Sequence, residues 1–208
     1  MADKKKYRVV AVYGSPRRGG NTDVLLDRFL EGLFECDVLK ANTNKKLILD
    51  KMIISSLNIS PCRECRQCSS TGECAIKDEM QRLYPKLIDC DLLAIASPVF
   101  FTTVSGYLKA FIDRFQRFWA LKYELGKNII TRDNRKGILF SCAGSKQKDI
   151  FDCTKKVMRS LFDVLNIKYY ADFMYNNMDF KGDILKNHEA MNTVYEFGRS
   201  GVFLMEGE

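Results

Sequence analysis

Four of the chain's eight cysteines fall within thirteen residues, Cys62, Cys65, Cys68 and Cys74, and spell C-x2-C-x2-C-x5-C. Three cysteines at two-residue gaps let one tight loop supply three corners of an iron–sulfur cubane, and a fourth closes it from beyond a turn. Structural zinc more often uses two separated pairs, and the only histidine, His188, lies far along the chain. Arg63 and Arg66, between the thiolates, would offset part of the negative charge of a thiolate-ligated cluster. On spacing alone, a metal-free thiol or disulfide loop and a zinc site stay open. Cys36, Cys90 and Cys153 fall at helix ends or on helix faces and read as small buried hydrophobes.

A second chemistry is suggested by Gly14-Ser15-Pro16-Arg17-Arg18-Gly19-Gly20-Asn21-Thr22. Hydroxyls at Ser15 and Thr22, an amide at Asn21 and glycine-freed backbone N–H groups at the start of a helix make an anion site. The stretch lacks the Gly-Lys-Ser/Thr of a nucleoside-triphosphate loop and the Gly-x-Gly-x-x-Gly of a dinucleotide fold, so a phosphate monoester is the better match. Ser97-Pro98-Val99-Phe100-Phe101 is an apolar, aromatic loop that can pack on a flat ring system. Ser141-Cys142-Ala143-Gly144-Ser145 offers small residues where a backbone must approach a ligand closely, and the Cys142 thiol reads as either a contact or a space filler.

These loops need elements to hold them. Arg8–Tyr13, Asp91–Ala96 and Gly137–Cys142 are short β-branched or apolar runs closed by Gly, Pro or Ser, the pattern of buried parallel strands. Weaker strands are expected over Lys46–Ile54, after a polar loop at Ala41–Lys45, and near Tyr169–Met174. Helical periodicity is expected from Asn21, over Asp78–Ile88, Ser105–Trp119 and Lys148–Leu165, and finally over Glu189–Phe203, with Lys122–Arg135 a polar connector. Strands alternating with helices predict one α/β domain over residues 1–208, a doubly wound parallel sheet with the cysteine-rich loop, at about 58–77, inserted between the second strand and the second helix. Ligands of such sheets bind outside the strands' carboxyl ends.

Composition bounds the rest. Hydrophobic residues make up 46% and charged residues 28%, which excludes a disordered chain. The net charge of +7 sits largely in what read as solvated runs, Lys4–Lys6 and Arg132–Lys136, and argues solubility rather than nucleic-acid binding. No apolar run is long enough to span a bilayer, and the lysine-rich start lacks a secretory apolar region, so a cytoplasmic protein is expected, with no membrane partner.

Gly14–Thr22 and Ser97–Arg114 together resemble the flavodoxin-like NAD(P)H-dependent FMN reductase superfamily, with its G-S-P-R-x-x-G-N-T and S-P-V-Y/F-F…S-G…K-x-x-I-D-R motifs. The resemblance implies a five-stranded sheet of order 2-1-3-4-5 and bound FMN. Ser15, Arg17, Asn21 and Thr22 would lie on the phosphate, Pro98, Val99, Phe100 and Phe101 on the isoalloxazine, and Ala143 and Gly144 at the pocket's edge. Lys109, Asp113 and Arg114 read either as surface ion pairs or as cofactor or dimer residues. Adding the cysteine motif, the chain resembles the iron–sulfur flavoproteins of anaerobic microbes. That implies a 4Fe–4S cluster on Cys62, Cys65, Cys68 and Cys74, and a homodimer or dimer of dimers, with Phe118, Trp119 and Tyr123 as dimer contacts. The electron donor would be ferredoxin-like or NAD(P)H. A plain NAD(P)H-dependent FMN or quinone reductase is the alternative.

Overall fold

In the computed structural model, which describes residues 5–41, 45–130 and 132–205, five parallel strands run in the order β2-β1-β3-β4-β5. β1 (Lys5–Tyr13) leads into α1 (Asn21–Phe34) and the short α2 (Asp37–Ala41). After β2 (Lys45–Ile53), the cysteine-rich segment contributes a short helix, α3 (Gln67–Thr71), before α4 (Met80–Ile88). β3 (Leu92–Pro98) precedes α5 (Gly106–Asp113) and α6 (Gln116–Trp119). β4 (Lys136–Cys142) precedes α7 (Asp152–Val164), and β5 (Lys168–Tyr175) precedes α8 (His188–Ser200) and α9 (Val202–Met205). The expected order 2-1-3-4-5 is the observed one.

The middles of the central strands, residues 9–12, 92–96 and 137–140, are apolar at every position because both faces are covered. Val9, Ala11 and Tyr13 point into one core with Leu25, Phe29, Leu33 and Val194 from α1 and α8. Val10 and Val12 point into the other with Leu83, Leu87, Phe111, Phe115 and Phe162 from α4, α5, α7 and the turn after α5.

Several sequence expectations are corrected. The helix expected over Ser105–Trp119 divides, because Arg114 and Phe115 take tighter i→i−3 bonds to Phe111 and Ile112. The connector after it begins as a π-helical turn, Ala120–Glu124. The helix expected from Lys148 starts at Asp152, after turns closed by Asp149. The last helix stops at Gly201 and resumes as α9. α2 and α3 were not anticipated. Within the expected polar loop, Ala41 closes α2, while residues 42–44 lie outside the described residues.

Within Arg132–Lys136, Asp133 and Asn134 are exposed but the cations are not freely solvated. Arg135 and Lys136 are buried, and Arg132 pairs with Asp89 and Asp91. The Arg135 guanidinium donates to the carbonyls of Leu87, Cys90 and Leu165, at the ends of α4 and α7, where helix dipoles favour a cation. Of the earlier run, Lys6 is exposed and Lys4 lies outside the described residues. Phe118 is 1% exposed and belongs to the core, so it cannot be a dimer contact. Cys36 and Cys90 are buried as expected, whereas Cys153 is exposed.

At the carboxyl edge of the sheet, fully buried serines tie three loops together. The Ser105 hydroxyl donates to the Gly14 carbonyl and accepts from the Leu108 N–H, capping α5. Ser97 Oγ accepts from the Ser105 N–H (3.2 Å), and Ser141 Oγ donates to the Ser97 carbonyl (2.8 Å). Gly14 has no room for a side chain: a Cβ there would stand 2.9 Å from the Ala96 carbonyl oxygen and 2.8 Å from Leu108. S105A removes a cap worth about 1 kcal/mol and leaves a buried carbonyl unpaired at about 1–3 kcal/mol, so a loss of about 2–4 kcal/mol is expected. Urea unfolding measures it, with S160A, on the exposed face of α7, shifting the midpoint by no more than about 0.5 kcal/mol equivalent.

Candidate cofactor sites

The three loops converge on one cavity of about 230 Å³ at the carboxyl ends of β1, β3 and β4. Ser15, Arg17, Asn21 and Thr22 line it from the first loop, Pro98, Val99 and Phe100 from the second, and Cys142 and Gly144 from the third. The first-turn N–H groups of α1 have no intrahelical acceptor and suit an anion. Ser15 Oγ accepts from the Arg17 N–H (3.1 Å), and the Gly20 N–H donates to the Arg17 carbonyl, which curls the loop around the helix start. Behind it Asp23 is fully buried, accepting through Oδ2 from Gly19 N–H (3.0 Å) and Arg18 (2.6 Å) while Oδ1 has no partner. Burial holds its carboxyl above the usual carboxylate range.

The Asn21 side chain is engaged within the protein. It donates to the carbonyls of Met178 and Phe180 and accepts from the N–H groups of Gly182 and Ile184. Asn21 therefore clamps the loop after β5 onto α1, and that loop supplies wall residues the sequence reading missed: Met178, Asp179 and Lys181. Its position beyond a strand's carboxyl end was the available signal. Two sequence-selected residues do not line the cavity. Ala143 is buried behind it, its N–H on Tyr175 and its carbonyl on Met178. Phe101 is fully exposed at the tip of a tight turn, Phe100 and Thr103 exchanging both backbone hydrogen bonds. Phe101 (φ 47°) and Thr102 (φ 66°) both sit in the left-handed region, at roughly 1–2 kcal/mol each. Burial pushes the Cys142 thiol up to about 12, so at neutral pH it is an uncharged part of the wall. His188 lines a separate, polar hollow that shares Gly144, Met178 and Asp179 with this cavity.

Cys62, Cys65, Cys68 and Cys74 line a second cavity, of about 140 Å³, and all four are free thiols. The chain bends around Cys65 because Glu64 (φ 51°) and Arg66 (φ 57°) are both left-handed, and Arg66 opens α3. Gly72, at φ 74°, ends α3 in a conformation that favours glycine and turns the chain back toward Cys74. Burial pushes the Cys68 thiol up, and the neighbouring sulfurs of Cys62, Cys74 and Cys65 add to the shift. Among the described residues, no three His, Cys, Asp or Glu side chains converge on a point suited to a single metal ion.

Two arginines just after α5 close this cavity from below. Arg114, 1% exposed, pairs with Asp78 at 2.6 Å and donates to the carbonyls of Ser60 and Ile76 and to Cys74 Sγ at 3.4 Å. Arg117 donates to the Gly72 carbonyl (2.8 Å) and pairs with Glu73, with Tyr84 under its guanidinium at 5.0 Å. Lys109 and Asp113, by contrast, form an exposed ion pair along α5. Of the three motif residues, only Arg114 lines either of the two cavities.

A family model described as NADPH-dependent FMN reductase matches residues 7–173. An iron–sulfur flavoprotein of Archaeoglobus fulgidus is 32% identical over 126 residues, 59% of this chain and 53% of that protein. One from Methanosarcina thermophila is 28% identical over 134 residues, 62% of this chain and 65% of the relative. The chain thus spans between about half and two thirds of the length of these relatives. An NAD(P)H:quinone oxidoreductase from Methanothermobacter marburgensis superposes with a TM-score of 0.63 at 17% identity, covering 98% of this chain and 99% of that one, a likeness of fold.

The Asp78 carboxyl is buried, which opposes its charge, but hydrogen bonds from Arg114 and from the N–H groups of Ser60 and Met80 hold its pKa below the ordinary 3.8. A depressed carboxylate stabilises the fold above its unfolded pKa and loses that contribution as pH falls through the folded value. The stability gap between the parent and D78N, measured by urea unfolding, should be constant above about pH 5 and shrink below the unfolded 3.8. A gap independent of pH down to 2 would contradict this.

Proposed function

This chain belongs to the NADPH-dependent FMN reductase family of oxidoreductases, and from its two cavities we propose that it is a flavoprotein holding FMN and a 4Fe–4S cluster. It moves electrons between a low-potential, ferredoxin-like one-electron donor and an acceptor. The observation that carries this reading is that all four motif cysteines line one cavity while the three ligand loops line another. A cubane takes one thiolate per iron and needs its sulfurs around a volume, whereas zinc needs four donors on one point. Four free thiols lining one hollow favour the cubane. FMN, when bound, accepts hydride or single electrons, and the cluster exchanges single electrons.

The chain's own residues hold these groups. Ser15, Thr22, Arg17 and the first-turn N–H groups of α1 take the phosphate, with Lys181 as a further cation on the wall. Asn21 serves the phosphate indirectly, through the loop it clamps. Pro98, Val99 and Phe100 pack on the ring, Gly144 lets the backbone approach, and Ala143 backs the pocket; Phe101, on the turn that follows, is exposed. The exposed Trp119 and Tyr123, ring centroids 5.8 Å apart, are the dimer contacts we favour, in a homodimer or dimer of dimers. No helix of the described residues is long and apolar enough to cross a membrane.

Serine at Cys62, Cys65, Cys68 or Cys74 should lower iron content in anaerobically purified protein while FMN stays bound. T22A should weaken FMN binding by on the order of tenfold or more, the loss of one hydrogen bond to a charged group. Iron and flavin assays on the same samples decide both; unchanged iron in all four serine variants removes the cluster. In anaerobic stopped-flow, reduced ferredoxin should bleach the visible absorbance faster than NADH or NADPH. Faster bleaching by NADPH would favour a plain FMN or quinone reductase.

A further inference from the structure

Arg114 carries the one fully buried guanidinium in the wall of the cysteine cavity among the described residues. Arg63 and Arg66, which also line it, are exposed, and Arg117 is turned onto Gly72 and Glu73. From Arg114, Nη1 serves Ser60 and Asp78, and Nη2 serves Ile76 and the Cys74 sulfur. Its Nε is buried with no partner. Holding the loop would need only the carbonyl and carboxylate contacts, so the N–H aimed at a sulfur and the unpartnered Nε call for another explanation.

Resting on the cluster reading above, we propose that Arg114 sets the reduction potential of the cluster, through the Nη2–H donated to Cys74 Sγ and through a buried positive charge beside the sulfurs. A reduced cluster is more negative by one electron. A cation and an N–H···S bond in a low-dielectric wall stabilise that state more than the oxidised one, which raises the potential. Asp78, whose side chain is 7% exposed, works in the opposite sense because its carboxylate offsets the guanidinium charge. The two residues therefore predict shifts of opposite sign, although both brace the same loop.

The test is an anaerobic spectroelectrochemical titration of the holoprotein, with iron and FMN contents measured on each sample. Each reduction adds one electron from dithionite, itself oxidised to sulfite, and breaks no iron–thiolate bond. R114Q should shift the cluster midpoint negative, R114K should recover most of the shift by restoring the charge, and D78N should shift it positive. A purely structural brace would move R114Q and D78N in the same direction; shifts of the same sign, or none, overturn the proposal. If R114Q also loses FMN, its fold has failed, and the sign of the D78N shift decides alone: positive supports the proposal, zero or negative overturns it. Parent protein that holds FMN but no iron overturns the cluster reading itself, and this inference with it.

Discussion

The Ser105 hydroxyl is the joint on which both cavities depend. It closes the end of β1 through the Gly14 carbonyl and starts α5 through the Leu108 N–H. An apolar residue there would leave a buried carbonyl and a helix end unsatisfied together. Arg114, the residue that caps the end of this short helix, reaches the sulfur of Cys74 in the cysteine loop. At 1.5 Å per residue, Gly106 to Arg114 spans about 12 Å along its axis. One element thus begins beside the loops that line the first cavity and ends at the thiol cavity.

Buried charge is handled differently at the two ends of the sheet. At the amino end, Arg135 is neutralised by carbonyls at the ends of α4 and α7, without a carboxylate among its contacts, and Arg8, Asp89, Asp91 and Arg132 form an ion-pair network nearby. These contacts are internally complete and read as stability. At the carboxyl end the polar groups are incomplete. Asp23 Oδ1 and Arg114 Nε are buried without partners, and two non-glycine residues at a turn tip are held in the left-handed region. Unsatisfied polar atoms and strained backbone in a folded protein collect where a ligand is expected.

The cysteine segment shows how a loop without regular structure becomes a defined cavity. Its own hydrogen bonds are few and local, such as those of Thr71 with Gln67 and Glu73. Its shape comes instead from outside, from Arg114 and Arg117 after α5 and from Asp78 and Glu79 at the start of α4, which accept from the N–H groups of Ser60 and Asn58. Four thiols that repel one another when ionised would not hold this arrangement alone.

Sequence alone was sufficient for the buried strands, and the motif resemblance for their order, because apolar runs and motif spacing are local features. Glycine and hydroxyl residues at a strand end, and four closely spaced thiols, also stand out in the sequence, and the structure brings each set to the wall of a cavity. The motif resemblance also marked Arg114, but could not say whether it faced water or protein. Only the tertiary structure turned Arg114 and Arg135 inward, put Phe118 in the core, and left Cys153 and Phe101 exposed. It also spent the Asn21 amide on the loop after β5, bringing Met178, Asp179 and Lys181 to a cavity more than 150 residues away in the chain. The reason is physical: burial and hydrogen-bond partners are set by segments distant in sequence, and a charged or polar side chain goes inside only where those segments present the carbonyls, carboxylates or sulfurs that compensate its desolvation.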